Sequence, residues 1–317
     1  MKASQRSRKI FRSLALGLLL SASPAHAQEK KKEAQAEQPL VVRINVSVVD
    51  SQNRPVKGLR PEDVQVLEDG VPQKATSVEL REGPLTYGLL IDNSGSFRDL
   101  IDKAIGVGRV IIGKSDPDAA GLTIRFISSD NIKVFQDITT NKAALLGSLD
   151  DMFVEGGQSA IGDAIYLAAE RMMKFRQSQT VPRRYALFLL TDGDDRASYY
   201  KPEQVIDKLH EADVPLFVVG FVKGAELKTS LGKAAAYIKR LAFETGGSAH
   251  FVEKGTDLSQ LAVQLLAEAG ANSRVGYTST NPKRDGSARK VSVTISNGPD
   301  GAPRTALVWG GYTAPGK

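Results

Sequence analysis

Two apolar runs in the chain end in short oxygen-bearing side chains. "LLIDNSGSF" at 89–97 delivers Asp92, Ser94 and Ser96, and "YALFLLTDGDD" at 185–195 delivers Thr191, Asp192, Asp194 and Asp195. Between them, "EGGQSAIGD" at 155–163 sets Ser159 behind two glycines. Taken singly, each could be an ordinary helix cap or turn residue, since Asp, Asn and Ser all accept bonds from the free amides of a helix start. Converging on one rim, Asp92, Ser94, Ser96, Ser159 and Asp192 would instead form an all-oxygen site for a hard cation. Mg²⁺ suits such donors, because it prefers octahedral oxygen coordination, one or two carboxylates and some retained water. Mn²⁺ or Ca²⁺ could take the same position. Ser94 and Ser96 alternate, so both can face an ion from an extended loop, while Gly95, Gly156, Gly157 and Gly193 permit close backbone approach. Asp194 and Asp195 read as solvated loop acids or outer partners rather than direct ligands.

Convergence requires a sheet whose loops share an edge. From 85 to about 270 the pattern alternates apolar strands with helical stretches: "TYGLLID", "GLTIRFISS", "RRYALFLLTDG" and "VPLFVVGFV" against "AIGDAIYLAAERMMKF", "KPEQVIDKLHEA" and "DLSQLAVQLLAEA". Continuous apolar strands between helices imply an α/β fold with a doubly wound, mainly parallel sheet covered on both faces. Ligands in such sheets bind outside the carboxyl ends of the strands. "GLTIRFISS" and "NIKVFQDI" read as a strand pair turning at Asp130-Asn131.

The flanks differ. Residues 40–82 and 271–317 show β alternation and turn chemistry, as in "LVVRINVSVVD", "VQVLEDG", "KVSVTISN" and "RTALVWGGYT". Segments this short hold too few strands for a stable core of their own. They are therefore expected to combine in one small β-sandwich into which the α/β unit is inserted, with two independent appendages as the alternative.

Residues 1–27 read as a signal peptide. A basic start precedes the apolar "SLALGLLLSASP" and the small-x-small site Ala25-His26-Ala27. The apolar run of about 12 residues would span roughly 18 Å as a helix, short of a ~30 Å hydrocarbon core. Residues 28–39 form a charged linker without an apolar face. The expectation is an exported protein, periplasmic or extracellular after cleavage near Ala27, with no stable membrane span in the mature chain. The net charge of +6 would suggest nucleic acid, but Lys2, Arg6, Arg8, Lys9 and Arg12 account for nearly all of it. The rest of the chain is close to neutral, so no nucleic-acid partner is expected. The chain has no cysteine, which excludes disulfides and thiolate chemistry. Beyond the leader only His210 and His250 remain, which argues against zinc.

These motifs resemble the von Willebrand factor A (VWFA) domain and its metal-ion-dependent adhesion site. The family's Asp-x-Ser-x-Ser falls on Asp92, Ser94 and Ser96, its later Thr position on Ser159, and its Thr-Asp-Gly strand end on Thr191-Asp192-Gly193. Serine in place of threonine at 159 keeps the ligating oxygen. The flanks "VVDSQNRPVKGLRPEDVQVLEDGVPQ" and "RVGYTSTNPKRDGSARKVSVTI" are similar to secreted bacterial proteins of this group. The resemblance implies a non-enzymatic binding module, in which Mg²⁺ held by those residues captures an exposed Glu or Asp of a partner protein. An exported metal-dependent hydrolase is the alternative.

Overall fold

The computed structural model describes residues 39–52, 56–128, 130–221, 230–271, 273–298, 301–308 and 311–314. The leader expected at 1–27 and nearly all of the linker expected at 28–39 lie outside the described residues.

Every residue of strand β4 (Leu85–Asp92) is buried, because β4 lies inside a six-stranded sheet with helices on both faces. It runs parallel to β5 (Ala120–Phe126) on one side and to β7 (Arg184–Thr191) on the other. Beyond β7 follow β8 (Leu216–Gly220) and β9 (Ala249–Phe251), both parallel. The outer strand β6 (Ile132–Thr139) turns back antiparallel on β5, as the sequence pattern around Asp130-Asn131 predicts.

Side chains alternate across β4, and each face has its own core. Leu85, Tyr87, Leu89 and Ile91 pack with α1 (Ile101–Lys114), α2 (Lys142–Asp150) and α6 (Leu258–Ala269). Leu90 joins the opposite core with α3 (Ile161–Gln177), α4 (Pro202–Ala212) and α5 (Ser230–Glu244). This is the mainly parallel α/β arrangement expected. Among the described residues no helix is long and apolar enough to cross a membrane.

The flanking segments interleave. Strands β1 (Val41–Asp50), β2 (Val64–Glu68) and β3 (Val71–Leu80) join β10 (Ser273–Thr278), β11 (Ala288–Ile295), β12 (Arg304–Val308) and β13 (Gly311–Thr313) in one sheet. Its order is β12-β1-β10-β3-β2-β11-β13. The stretch "RTALVWGGYT" contributes two strands, β12 and β13, which occupy opposite ends of the sheet order. Hydrogen bonding runs through the seven strands in one continuous order, which rolls up on itself. Val308 and Gly311 are three residues apart, so the two sheet ends must stand within about 11 Å of each other. β3 makes the bend, since its first residues pair with β2 and its later ones with β10, where the register shifts at Gly276/Tyr277. The rolled sheet encloses Val42, Ile44, Val46, Val66, Val275 and Tyr277.

The chain enters the α/β unit just before β4 and leaves it after α6. Arg184, at the start of β7, ties these two crossings together: its guanidinium donates to the carbonyls of Gly83 and Gly270. A second joint comes from α5, where buried Phe243 stacks on Tyr312 of the rolled sheet with centroids 4.3 Å apart. Asn45 Nδ2 donates to Gly246 O at 2.7 Å beside it.

Among the described residues β1 pairs with β10 and β12, and β10 also flanks β3. A chain truncated after Ala269 should therefore lose amide-exchange protection across Val42–Val48 as well. Full protection of those amides in the truncated chain would contradict the interleaved sheet.

Candidate metal centre

Asp92 is the last residue of β4 and is wholly buried. Thr191 ends the neighbouring strand β7. Because the two strands run in parallel, their following loops open on the same edge of the sheet. The loop before α3 reaches the same edge, where Ser159 forms a parallel bridge with Asp195.

The polar contacts converge on one carboxylate. Asp92 Oδ1 accepts the Ser94 amide at 2.9 Å. Its Oδ2 accepts the Thr191 hydroxyl at 2.6 Å and the Ser159 hydroxyl at 3.1 Å. Ser94 Oγ and Ser96 Oγ stand 3.2 Å apart. Asp192 follows Thr191 and is nearly buried, and its Oδ1 accepts the Asp194 amide at 3.2 Å. Burial pushes the Asp92 pKa up to about 6, the Thr191 hydroxyl opposes the rise, and the charge of Asp192 adds to it. The structure thus brings Asp92, Ser94, Ser96, Ser159 and Asp192 to one rim. Ser96 is exposed, whereas Ser94 and Ser159 are buried.

The hydroxyls are not occupied as helix caps. Ser94 precedes the short turn Gly95–Phe97 without a side-chain capping bond. Ser159 is not the cap of α3; that position is Ala160. The Ser159 carbonyl accepts the amides of Arg196 and Ala197 at 3.0 Å, which fixes this residue against the β7 loop. Gly157 has φ +86° and Gly193 φ +87°, so both turns use backbone that side-chain-bearing residues rarely adopt.

The outer acids serve as clamps. Asp194 pairs with Arg196 at 2.7 Å. Asp195 accepts the Gly162 amide at 3.0 Å, the Ser198 hydroxyl at 2.7 Å and the Tyr237 hydroxyl at 3.3 Å. Buried Asp163 in the first turn of α3 returns the tie by accepting the amides of Tyr199 and Tyr200 at 2.9 Å. Sequence reasoning overlooked Asp163; an acid in the first turn of a helix, four residues after a candidate ligand, was its only signal. It also overlooked Asn93, whose side chain donates to Phe153 O at 2.5 Å. His210 and His250 lie apart from the rim. His210 Nε2 meets Glu244 O at 2.6 Å, and His250 faces Glu268 at 3.3 Å.

The donor set fits a small hard cation. Adjacent ligand oxygens on octahedral Mg²⁺ stand about 2.9 Å apart when each bond is about 2.0–2.1 Å. The Ser94–Ser96 and Ser159–Asp92 oxygen pairs, at 3.2 and 3.1 Å, are close to that spacing. Among the described residues no group of three or more His, Cys, Asp or Glu side chains could hold a metal ion. A cation here would therefore depend on hydroxyl oxygens beside two carboxylates.

The parallel sheet and the rim of acids and hydroxyls define a class, and comparison with known proteins agrees with it. The chain belongs to the von Willebrand factor type A domain family, whose sequence profile matches residues 88–264. Domains of this family generally bind protein partners. No curated protein matches the chain. Among solved structures it is similar to an aerotolerance-related membrane protein from Bacteroides fragilis, at 18% identity over 59% of this chain and 98% of that one, with a TM-score of 0.47. A conserved hypothetical protein, BatB, from Bacteroides thetaiotaomicron gives 17% identity, the same coverages and the same TM-score. Proximal thread matrix protein 1 from the mussel byssus gives 18% identity over 63% of this chain and 49% of that one, with a TM-score of 0.44.

A pH dependence follows from Asp92. Its pKa of about 6 in the fold exceeds the ~3.9 of an unfolded aspartate. Between these values the folded state holds a proton that the unfolded state has released, so this contribution to stability falls as pH rises. With EDTA present, the melting temperature of the native protein relative to Asp92→Asn should decline from about pH 4 to about pH 6 and level off above. A flat difference across that window would contradict the assignment.

Proposed function

We propose that this chain is an exported, cation-dependent protein-binding module that captures an acidic residue of a partner. One observation carries the reading: Ser94 and Ser159 make no capping bond to the helical turns beside them and direct their hydroxyls toward Ser96 and Asp92. Short polar residues beside helix starts ordinarily cap them. Here they gather around a buried carboxylate instead.

Ser94, Ser96 and Ser159 would hold Mg²⁺ through their hydroxyls, and Asp92 and Asp192 directly or through water. The bound cation would supply a charge-dense position at which a partner's Glu or Asp carboxylate replaces water. The chain's own residues keep that position selective. Thr191 fixes the Asp92 carboxylate, leaving its orientation little freedom. The Asp194 amide holds Asp192, and Asp163 and Asp195 lock the two loops to each other. With only two carboxylates beside the ion, its charge is not fully neutralised, which favours an acid over a neutral side chain.

Export rests on the basic and apolar leader ending at Ala25-His26-Ala27. It places the partner in the periplasm or outside the cell.

Purified mature protein should bind Mg²⁺ or Mn²⁺ at one site in calorimetry. Asp92→Ala and Asp192→Ala should each abolish most of the heat; undiminished binding in both would refute the site. A partner captured from the exported fraction should be released by EDTA and lost when its contacting Glu or Asp is replaced by Ala. Capture by Asp192→Ala with unchanged affinity in EDTA would place recognition on another surface.

A further inference from the structure

Arg125 lies at the end of β5, next to the rim, and is 3% exposed. Its guanidinium sits between the rings of Phe135 and Phe153, at 4.8 and 5.2 Å from their centroids. It contacts the Glu155 carboxylate, and among the described residues its Nε and Nη1 have no hydrogen-bond partner. A buried cation satisfied at a single carboxylate is costly, so the pair invites a role beyond packing.

Glu155 begins the segment that leads to Ser159. Asn131 Nδ2 donates to its carboxylate at 3.0 Å, and its own amide donates to Asn93 O at 3.3 Å. Two residues before Glu155, the Asn93 side chain also holds Phe153 O. Next come Gly156 and Gly157, both at positive φ, and the Gly157 carbonyl accepts the Gly95 amide at 3.2 Å. Two successive glycines have little conformational preference of their own. The path into Ser159 must therefore be set by anchors at either end. Downstream, the anchors are Asp92 and the amides of Arg196 and Ala197. Upstream, the only side-chain anchors of Glu155 among the described residues are Arg125 and Asn131.

We infer that Arg125 and Glu155 form a latch that sets the 155–159 loop, making Arg125 a positioning residue for the candidate cation site. It acts through Glu155 and the glycine pair on Ser159 and on the Gly95 turn that carries Ser94 and Ser96. Phe153, 58% exposed, covers the guanidinium from outside, so the latch lies directly beneath the surface that flanks the rim. The inference rests on the cation-binding reading above.

A purely structural pair and a latch predict different outcomes when both charges are removed. Replacing a buried ion pair by apolar or neutral groups of similar volume often leaves stability unchanged, whereas removing one partner strands a charge. Met at 125 would keep the packing between the two rings. The test uses the full mature chain with Mg²⁺ alone as the probe, and compares Arg125→Met, Glu155→Gln and the double variant. Melting temperature, Mg²⁺ affinity by calorimetry and amide exchange over 154–159 are read together. Each single variant should lower the melting temperature and weaken Mg²⁺ about tenfold, the usual effect of losing a partner behind a metal ligand. The double variant should regain most of the melting temperature while its Mg²⁺ affinity stays weak and amides 154–159 exchange about tenfold faster. Recovery of Mg²⁺ affinity together with stability would overturn the latch, as would unchanged affinity in all three variants. No Mg²⁺ binding by the native chain would refute the cation-binding reading itself, and the latch with it.

Discussion

The architecture depends on one buried carboxylate. Asp92 ends an interior strand with no solvent exposure, and desolvating a charged group is among the costliest steps in folding. Two hydroxyls and one amide offset part of that cost. They leave the acid with a pKa of about 6, well above that of a solvated aspartate. Each of those donors comes from a different part of the chain: the β4 loop, the loop before α3, and the end of β7. Satisfying Asp92 therefore draws three loops to one point. The same three loops carry every oxygen of the candidate site, so the constraint that closes the fold at this edge also assembles the site.

A second layer of acids keeps the arrangement from relaxing. Asp163 and Asp195 are oriented by backbone amides from each other's loops, a reciprocal tie between the start of α3 and the stretch after β7. The Arg125–Glu155 ion pair ties the loop before α3 to β5. None of these groups needs to touch a cation. Their common effect is to remove conformational freedom from the side chains at the rim.

The rolled β sheet is joined at the opposite end of the α/β unit. Strand β4 carries eight residues, so its two ends are roughly 23 Å apart at 3.3 Å per residue. Arg184 ties the two chain crossings at the start of that span, while Phe243 on Tyr312 and Asn45 on Gly246 fasten the sheet beside it. Among the described residues, these joints lie toward the end of β4 away from the rim. A large partner could approach it without displacing the joint.

Local pattern was enough to read the mainly parallel sheet, its antiparallel outer strand and the family motif. Apolar runs, helical periodicity and Asp92-x-Ser94-x-Ser96 are each complete within a few residues, so the sequence displays them directly. Other features depend on partners far apart in the chain. The Ser159 and Thr191 hydroxyls reach Asp92 across 67 and 99 residues, and nothing nearby distinguishes them from caps. The clamp role of Asp163 and the burial of Arg125 are of the same kind. So is the division of "RTALVWGGYT" into β12 and β13, because alternation shows that a strand forms but not which neighbour it pairs with. Sequence determined the elements and the residue types offered at their ends. Tertiary structure decided which of those residues meet, because hydrogen bonding and burial depend on distance in space and not on separation along the chain.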